Sequence, residues 1–439
     1  MKGSISMTTK RIVYDGSYAT RGKSGIPRDT IAVARCLSQL DGHELEILLS
    51  PKGFSSRRVS KRNQWLKKSS DFGKAIRLNP GRAVLPGRVE RFLTILQALS
   101  LKKNVTPYLV DNKQKRYVLE KIFGIDPDRV KNILISPLSL GSRFGRPTRL
   151  GNFRLNIKSA NYYIQQQIDP ISVTKGTHHI VRLHDVLPIT HPYLFDEIAV
   201  AAFANGLKKM LGKEICWVMD TEASSEEFKN LFIQELNVHT IPCVINVPRV
   251  SKRVYKKKQV VMVNSIEPRK EIELAVTSFH YAKKTGLLDK AWKLVIAGQP
   301  GWQTDELIAD LRSNSFGKDV KFVESPSDDE IEELYKTSRI VLSASRAEGF
   351  GLPPLEGMSW GCVPVLSQIP QHVETVGSFG HYFTKFSKEE IAFALKAGAK
   401  TSSSKEYTKL KSLYIDHLNK MFSADSVQEK WRKLLVALN

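Results

Sequence analysis

The chain is short of acid. Its 439 residues carry 67 Lys and Arg against 44 Asp and Glu, a formal net charge of +23, and such a field favours phosphate-rich partners. Long apolar runs are missing too. The longest, such as IAVAAFA at 198–204, stop well short of the ~18 residues a membrane-spanning helix needs. The opening MKGSISMTTKRIVYDGS passes from polar residues straight into a strand-like IVY, without the apolar stretch of a secretory leader, so the expected location is the cytoplasm. Cysteine is scarce: Cys36, Cys216, Cys243 and Cys362 lie scattered among apolar neighbours with no CxxC pair, which reads as reduced core residues. His178, His179, His184 and His191 gather in one stretch but form no HExxH, so no metal site is expected. No repeat of solenoid length and no low-complexity tract beyond TSSSK at 401–405 is found, which excludes solenoid and array architectures.

What is there is uneven charge and a regular alternation of elements. Between Phe54 and Arg91 eleven basic residues stand against Asp71 and Glu90, with Trp65 and Phe72 interleaved. That composition suits an anionic membrane surface or another polyanion, and equally a solvated basic face. Elsewhere short β-rich runs alternate with helical patterns, the signature of α/β architecture with parallel sheets. Strands are expected near 11–14, 45–49, 132–136, 179–183, 215–219 and 240–245 in the first half, and near 259–264, 293–298, 320–324, 339–344 and 363–367 in the second. Two such series imply two Rossmann-like domains, with NVPRVSKRVYKKK at 246–258 as linker. Residues 1–247 form the first domain, containing an unassigned basic region at 54–175, and 248–420 the second. Ser327 with Glu330 and Ser426 with Glu429 are capping-box pairs that start two helices. The last helix, at 421–439, carries a stripe of Val427, Trp431, Leu434 and Leu435 that needs something to pack on.

The densest signal is EGFGLPPLE at 348–356. It follows one expected strand and precedes another, so it lies at the carboxyl end of a parallel sheet, where such sheets bind ligands. Gly349 and Gly351 let backbone approach a ligand, and Pro353 with Pro354 pre-set the first turn of a helix whose N-terminus suits phosphate. Acids flanking a phosphate site would be repelled by it, but carboxylates accept well from sugar hydroxyls. Glu348 and Glu356 are therefore candidates to hold the two sugars that flank a diphosphate. Arg269 and Lys270, in NSIEPRKEIELAV just past another strand, are placed to clamp the diphosphate itself.

In their order and spacing, VNSIEPRK, LVIAGQPGW, SDDEIEELY and SRAEGFGLPPLEGMSWGCVPVLS resemble the C-terminal domain of retaining GT-B glycosyltransferases of family four. VRLHDVLPITHP and DTEASSEEF resemble the N-terminal half of its bacterial branch that adds mannose and related hexoses to surface polysaccharides. The resemblance covers about residues 11–35, 180–230 and 260–376. It implies a GT-B fold, two Rossmann-like domains facing each other across a cleft, with the C-terminal helix crossing back to the first. It also implies roles. Glu348 stands near the donor hexose, and Glu356 binds the ribose. The amides of Gly349, Phe350 and Gly351, with Leu352 beside them, line the donor, Arg269 and Lys270 bind phosphate, and Gly25 belongs to a glycine loop facing the diphosphate. His184 sits beside the donor sugar and Asp185 orients it. In such enzymes the anomeric configuration is kept without a metal, as the departing phosphate takes the acceptor proton. The sequence departs from the family where Arg346 replaces an aromatic or small residue, where Asn264 replaces a glycine, and where PCVINVPRV lacks the usual Asn-Gly-Val junction.

The expected function is transfer of a hexose from a nucleotide diphosphate sugar to a lipid-linked or growing glycan acceptor. GDP-mannose is the favoured donor and a UDP-hexose the alternative. No cofactor or metal is expected, and the protein is placed in the cytoplasm, peripheral to the inner face of a membrane that residues 54–91 would touch. Two other readings stay open: a catalytically degenerate GT-B scaffold subunit, and a GT-B protein acting on nucleic acid, for which no reader module is found.

Overall fold

A strand buried on both faces needs near-continuous apolar sequence, and such runs build the two main sheets of the computed structural model, which describes residues 9–20, 25–49, 104–136, 153–248 and 255–438. The first domain holds strands β1 (Lys10–Asp15), β2 (His43–Leu49), β3 (Asn104–Val105), β4 (Tyr108–Leu109), β5 (Asn132–Ile135), β6 (Phe153–Leu155), β7 (Tyr162–Gln165), β8 (Ile171–Val173), β9 (His178–Arg182), β10 (Ile215–Met219) and β11 (Val238–Thr240). Eight of them form one sheet in the order β11-β10-β9-β7-β1-β2-β5-β4, parallel except where β4 meets β5. A small sheet, β3-β6-β8, lies apart from it. The second domain holds β12 (Lys257–Val263), β13 (Lys293–Gly298), β14 (Val320–Glu324), β15 (Ser338–Ser343), β16 (Val363–Ser367) and β17 (His381–Phe383). They form one parallel sheet ordered β14-β13-β12-β15-β16-β17.

Helices cover both sheets. Helix α1 (Gly25–Ser38) buries Val33, Ala34 and Leu37 in the first core. In the second, Val260, Met262, Leu294 and Ile340 meet Ala275, Val276 and Phe279 of a helix over Ile272–Lys284. The last helix runs over Ala424–Ala437, and its Val427, Trp431, Leu434 and Leu435 pack into the core of the first domain. It thus crosses back from one domain to the other, as the resemblance implies.

Three expectations are corrected. The last helix is capped by Ser423, whose side chain accepts from the Ser426 N–H, so Ser426 and Glu429 lie inside it and do not form its capping box. The strand near 240–245 ends at Thr240. Pro242 has no N–H to donate to a ladder, and the chain leaves the sheet there, so that Cys243 and Ile245 are buried against Phe350, Leu355 and Phe422 of the second domain. Within 54–175, which the sequence left unassigned, β7 sits in the middle of the main sheet, between β1 and β9. Its signal is hidden because Gln165 and the next residue, Gln166, are polar yet fully buried. Gln165 is satisfied by donating to the Asp169 carbonyl and meeting His179 Nε2 at 3.0 Å. The basic stretch 54–91 lies outside the described residues.

Candidate functional site

The glycine loop joins β15 to helix α5 (Leu352–Ser359), which follows α2 (Glu222–Lys229), α3 (Ile272–Lys284) and α4 (Asp328–Thr337) in the chain. Gly351 is the residue before α5 and has φ +84°, a left-handed conformation that glycine adopts without a Cβ penalty. Gly349 is required by space: a Cβ there would stand 2.6 Å from the His184 carbonyl oxygen. The loop thus packs directly against the first domain at this point. Pro353 and Pro354 start α5 but carry no N–H. The donors left at this helix end are the N–H groups of Gly349, Phe350, Gly351 and Leu352, which find no acceptor among the described residues. The Phe350 ring turns away into a buried cluster, edge-on to Phe422 with centroids 5.5 Å apart.

Arg269 and Lys270 follow β12 in a single turn at Pro268–Lys270, and both reach Glu348. Arg269 Nη1 donates to Glu348 Oε2 at 2.9 Å, and Lys270 Nζ pairs with Oε1. Ser345 Oγ adds a bond to Oε1 at 2.6 Å. Burial alone would push the Glu348 carboxyl up, but Lys270 and Arg269 outweigh it and hold the group well below the usual range. Arg269 also uses Nε on Glu267 and Nη1 on the Ala347 carbonyl. Its Nη2 is left for a ligand. With Glu267 included, the formal charges of the cluster cancel, so it offers fixed donors rather than a bare positive pocket.

His184 follows β9 and carries an unexpected network. Its Nδ1 lies 2.8 Å from Asp220 Oδ2, while its Nε2 is buried without a partner among the described residues. Burial lowers the His184 pKa and the neighbouring Asp220 raises it, with a net rise. Asp220 is paired in turn with Arg182, which is fully buried and bidentate to Asp29 at 2.7 and 3.0 Å. Asp185 accepts from Leu187 N–H, and burial raises its pKa. The sequence pointed to His184 and Asp185 but not to Asp220, Arg182 or Asp29. A short strand ending in Arg182, with His184 two residues further on, is the signal that was available.

Glu356, on the first turns of α5, pairs with Arg28 of α1 at 2.6 Å and accepts from the Tyr335 hydroxyl at 3.3 Å. Arg28 was not singled out from the sequence; it lies three residues after Gly25, and its partner is distant in the chain. Gly25 opens α1, where a Cβ would stand 3.0 Å from Leu352 Cδ1.

All of the sequence-derived candidates line one interdomain cleft of about 270 Å³: Gly25, His184, Asp185, Arg269, Lys270, Glu348, Gly349, Phe350, Gly351, Leu352 and Glu356. Asn264 lines it as well, with its Oδ1 buried and unpaired among the described residues. One group there has metal-ligand atoms close together, Asp29, His184 and Cys243 within 4.8 Å. The Arg182 guanidinium already occupies it, bonded to Asp29 and 3.6 Å from the Cys243 sulfur, and a second cation would be repelled. Such a cleft can hold an anion on fixed N–H donors between two carboxylates suited to hydroxyls.

Comparison with known proteins bears on the second domain's sequence and on the fold. Residues 246–410 match the sequence model of glycosyl transferases group 1. The serotype-specific mannosyltransferase WbdA of Escherichia coli is 31% identical over 137 residues, 31% of this chain and 16% of its own length. The GDP-mannose:cellobiosyl-diphosphopolyprenol alpha-mannosyltransferase of Xanthomonas oryzae is 33% identical over 96 residues, 21% of this chain and 24% of its own. The chain thus spans less than a quarter of either relative. Among solved structures, TarM superposes with a TM-score of 0.62 at 14% identity, covering 98% of this chain and 99% of that one. Sucrose-phosphate synthase from Thermosynechococcus elongatus gives 0.59 at 12% identity, over 98% and 99%. At such identities these structures speak for the fold alone, and the fold is GT-B. Residues 246–410 of this chain are thus similar to glycosyl transferases group 1.

Proposed function

We propose that the protein is a retaining glycosyltransferase that moves a hexose, mannose by preference, from a nucleotide diphosphate sugar to a lipid-linked or growing glycan acceptor. The observation that carries this is the convergence of Arg269 and Lys270 on Glu348 beside four unpaired loop N–H groups. Arg269 Nη2, Lys270 and the loop amides bind the diphosphate and stabilise the charge that develops as it departs. Glu348 holds both cations in place and faces the hexose; Glu356 takes the ribose hydroxyls. His184 directs Nε2 toward the sugar, its ring fixed through Nδ1 by Asp220. In the retaining reaction the bond from the anomeric carbon to the diphosphate oxygen breaks while the acceptor oxygen bonds on the same face. The acceptor proton passes to the departing phosphate oxygen, so no side chain has to act as a strong base and positioning supplies much of the rate.

Relatives named for GDP-mannose and for mannosyl transfer support the donor preference. A UDP-hexose is the alternative donor under this proposal. Work without a metal, and a cytoplasmic site at the inner face of a membrane, belong to the same proposal. Among the described residues no helix is long and apolar enough to cross a membrane.

The test is calorimetric titration with GDP, UDP and ADP, then sugar transfer to water or to a lipid-linked glycan from the matching nucleotide sugar, with and without chelator. Micromolar binding of one nucleotide, release unaffected by chelator, and an axial product from an axial donor by NMR are expected. Absence of nucleotide binding sinks the reading and leaves the scaffold alternative.

A further inference from the structure

The side of the glycine loop facing away from the cleft is held by the opposite domain. Helix α2 begins after Thr221, whose side chain accepts from the Ser224 N–H. Ser224 Oγ donates to the Gly349 carbonyl at 3.0 Å, and Thr221 Oγ1 lies 3.2 Å from the same oxygen. Both residues are almost completely buried. The tie is returned from the second domain, where Glu374 accepts from the N–H groups of Glu222 and Ala223 at 2.8 and 2.9 Å. The start of α2 is therefore bonded to the second domain in both directions.

The consequence follows from peptide geometry. No cis peptide occurs among the described residues, and in a planar trans peptide the carbonyl and the following N–H point in opposite directions. The Gly349 carbonyl points at Thr221 and Ser224, neither of which lines the cleft, whereas Gly349 and Phe350 both do. The Phe350 N–H is thereby turned to the cleft side. Glycine has little conformational preference of its own, so without an external hold the 349–350 peptide would be free to flip and present its carbonyl to an anion.

We propose that Ser224 and Thr221 are positioning residues: by gripping the Gly349 carbonyl from the first domain, they aim the Phe350 N–H at the diphosphate of the bound nucleotide. This rests on the glycosyltransferase reading. It also makes the loop competent only when the domains are docked at α2, so that closure of the cleft and capture of the phosphates are one event.

The experiment is Ser224→Ala in the full chain, which leaves the Thr221 cap in place, with Glu374→Ala as a second variant at an exposed position. Affinity is measured by calorimetry for GDP and UDP, and by NMR titration for guanosine and uridine, which lack phosphate. One lost hydrogen bond lowers diphosphate affinity roughly three- to tenfold. The expected result is a loss of that size for the diphosphate of the preferred base, with nucleoside affinity and thermal midpoint held near wild type. Glu374→Ala is expected to lose diphosphate affinity in the same selective way. Equal losses for nucleoside and diphosphate, or no loss in either variant, overturn the proposal. Failure of the wild type to bind any nucleotide overturns the donor reading itself, and this proposal with it.

Discussion

Arg28 reaches across the cleft from the first domain and rests on Glu356 of the second, Nη2 to Oε1 at 2.6 Å. The acid proposed to hold the ribose is thus also partnered by a side chain of the other domain. The Arg28 side chain is 49% exposed, and an ion pair so open to solvent contributes at most about 1 kcal/mol. A carboxylate has lone pairs enough to accept from a guanidinium and from hydroxyls together.

Arg28→Ala is accordingly expected to change nucleotide affinity by less than about fivefold, while Glu356→Ala, which removes the acceptor itself, costs about tenfold or more. Calorimetry with the preferred nucleotide decides. A larger loss for Arg28→Ala than for Glu356→Ala would assign the nucleotide contact to the arginine instead.

Glu348 is expected to act on stability as well as on turnover. Removing one member of a buried ion cluster leaves the others uncompensated, at about 3–5 kcal/mol, so Glu348→Gln lowers the thermal midpoint by several degrees and abolishes most transfer. The folded-state pKa of Glu348 is depressed, so the stability it contributes is complete above the ordinary glutamate range and is lost as pH falls through and below it. Thermal midpoints of wild type and variant, measured from pH 7 downward, should converge in acid. Parallel curves would mean that the carboxylate does not carry the effect.

For His184 the sign is reversed. Its folded-state pKa is raised, with burial opposing and Asp220 driving the rise. Its stabilising share is complete below the ordinary histidine range and fades as pH climbs through the raised value. Asp220→Asn should lower the His184 pKa, read from the imidazole resonances in an NMR titration. An unchanged or higher value would remove Asp220 as the orienting partner.

Two glycines test what each clash can do. A Cβ at Gly298 would fall 1.6 Å from the Asn264 carbonyl oxygen, backbone against backbone inside one domain. Gly298→Ala can be relieved only by distorting that sheet, at about 3 kcal/mol or more. A Cβ at Gly349 meets the His184 carbonyl at 2.6 Å across the cleft, and this clash is relieved by parting the domains. Gly349→Ala should therefore keep most of its thermal stability while losing on the order of a hundredfold in transfer, with a larger radius of gyration by X-ray scattering. Comparable midpoint losses in the two variants would contradict this division.

Much of the fold was legible because parallel strands are nearly continuous apolar runs, as in KLVIAG at 293–298 and RIVLSA at 339–344. The exceptions have chemical causes. β7 was missed because Gln165 and Gln166 interrupt the pattern, and Gln165 is satisfied only by bonds formed in the fold. The strand expected at 240–245 was overextended because apolar residues after Pro242 are buried in the other domain rather than in their own sheet.

The sequence by itself determined the parts of the site that are local: the glycines that let the backbone turn, the prolines that start α5, and the Arg269–Lys270 pair at a strand end. These depend on backbone conformation and short spacing, which neighbouring residues set. Only the tertiary structure decided that Arg28 meets Glu356, that Asp220 stands behind His184 with Arg182 and Asp29 in support, and that Ser224 grips the Gly349 carbonyl. Each of these contacts joins segments far apart in the chain, and two of them, Arg28–Glu356 and Ser224–Gly349, cross between the domains. No local pattern encodes such a partner, because the pairing exists only once distant segments have packed together, within the first domain for Asp220 and between the two domains for Arg28 and Ser224.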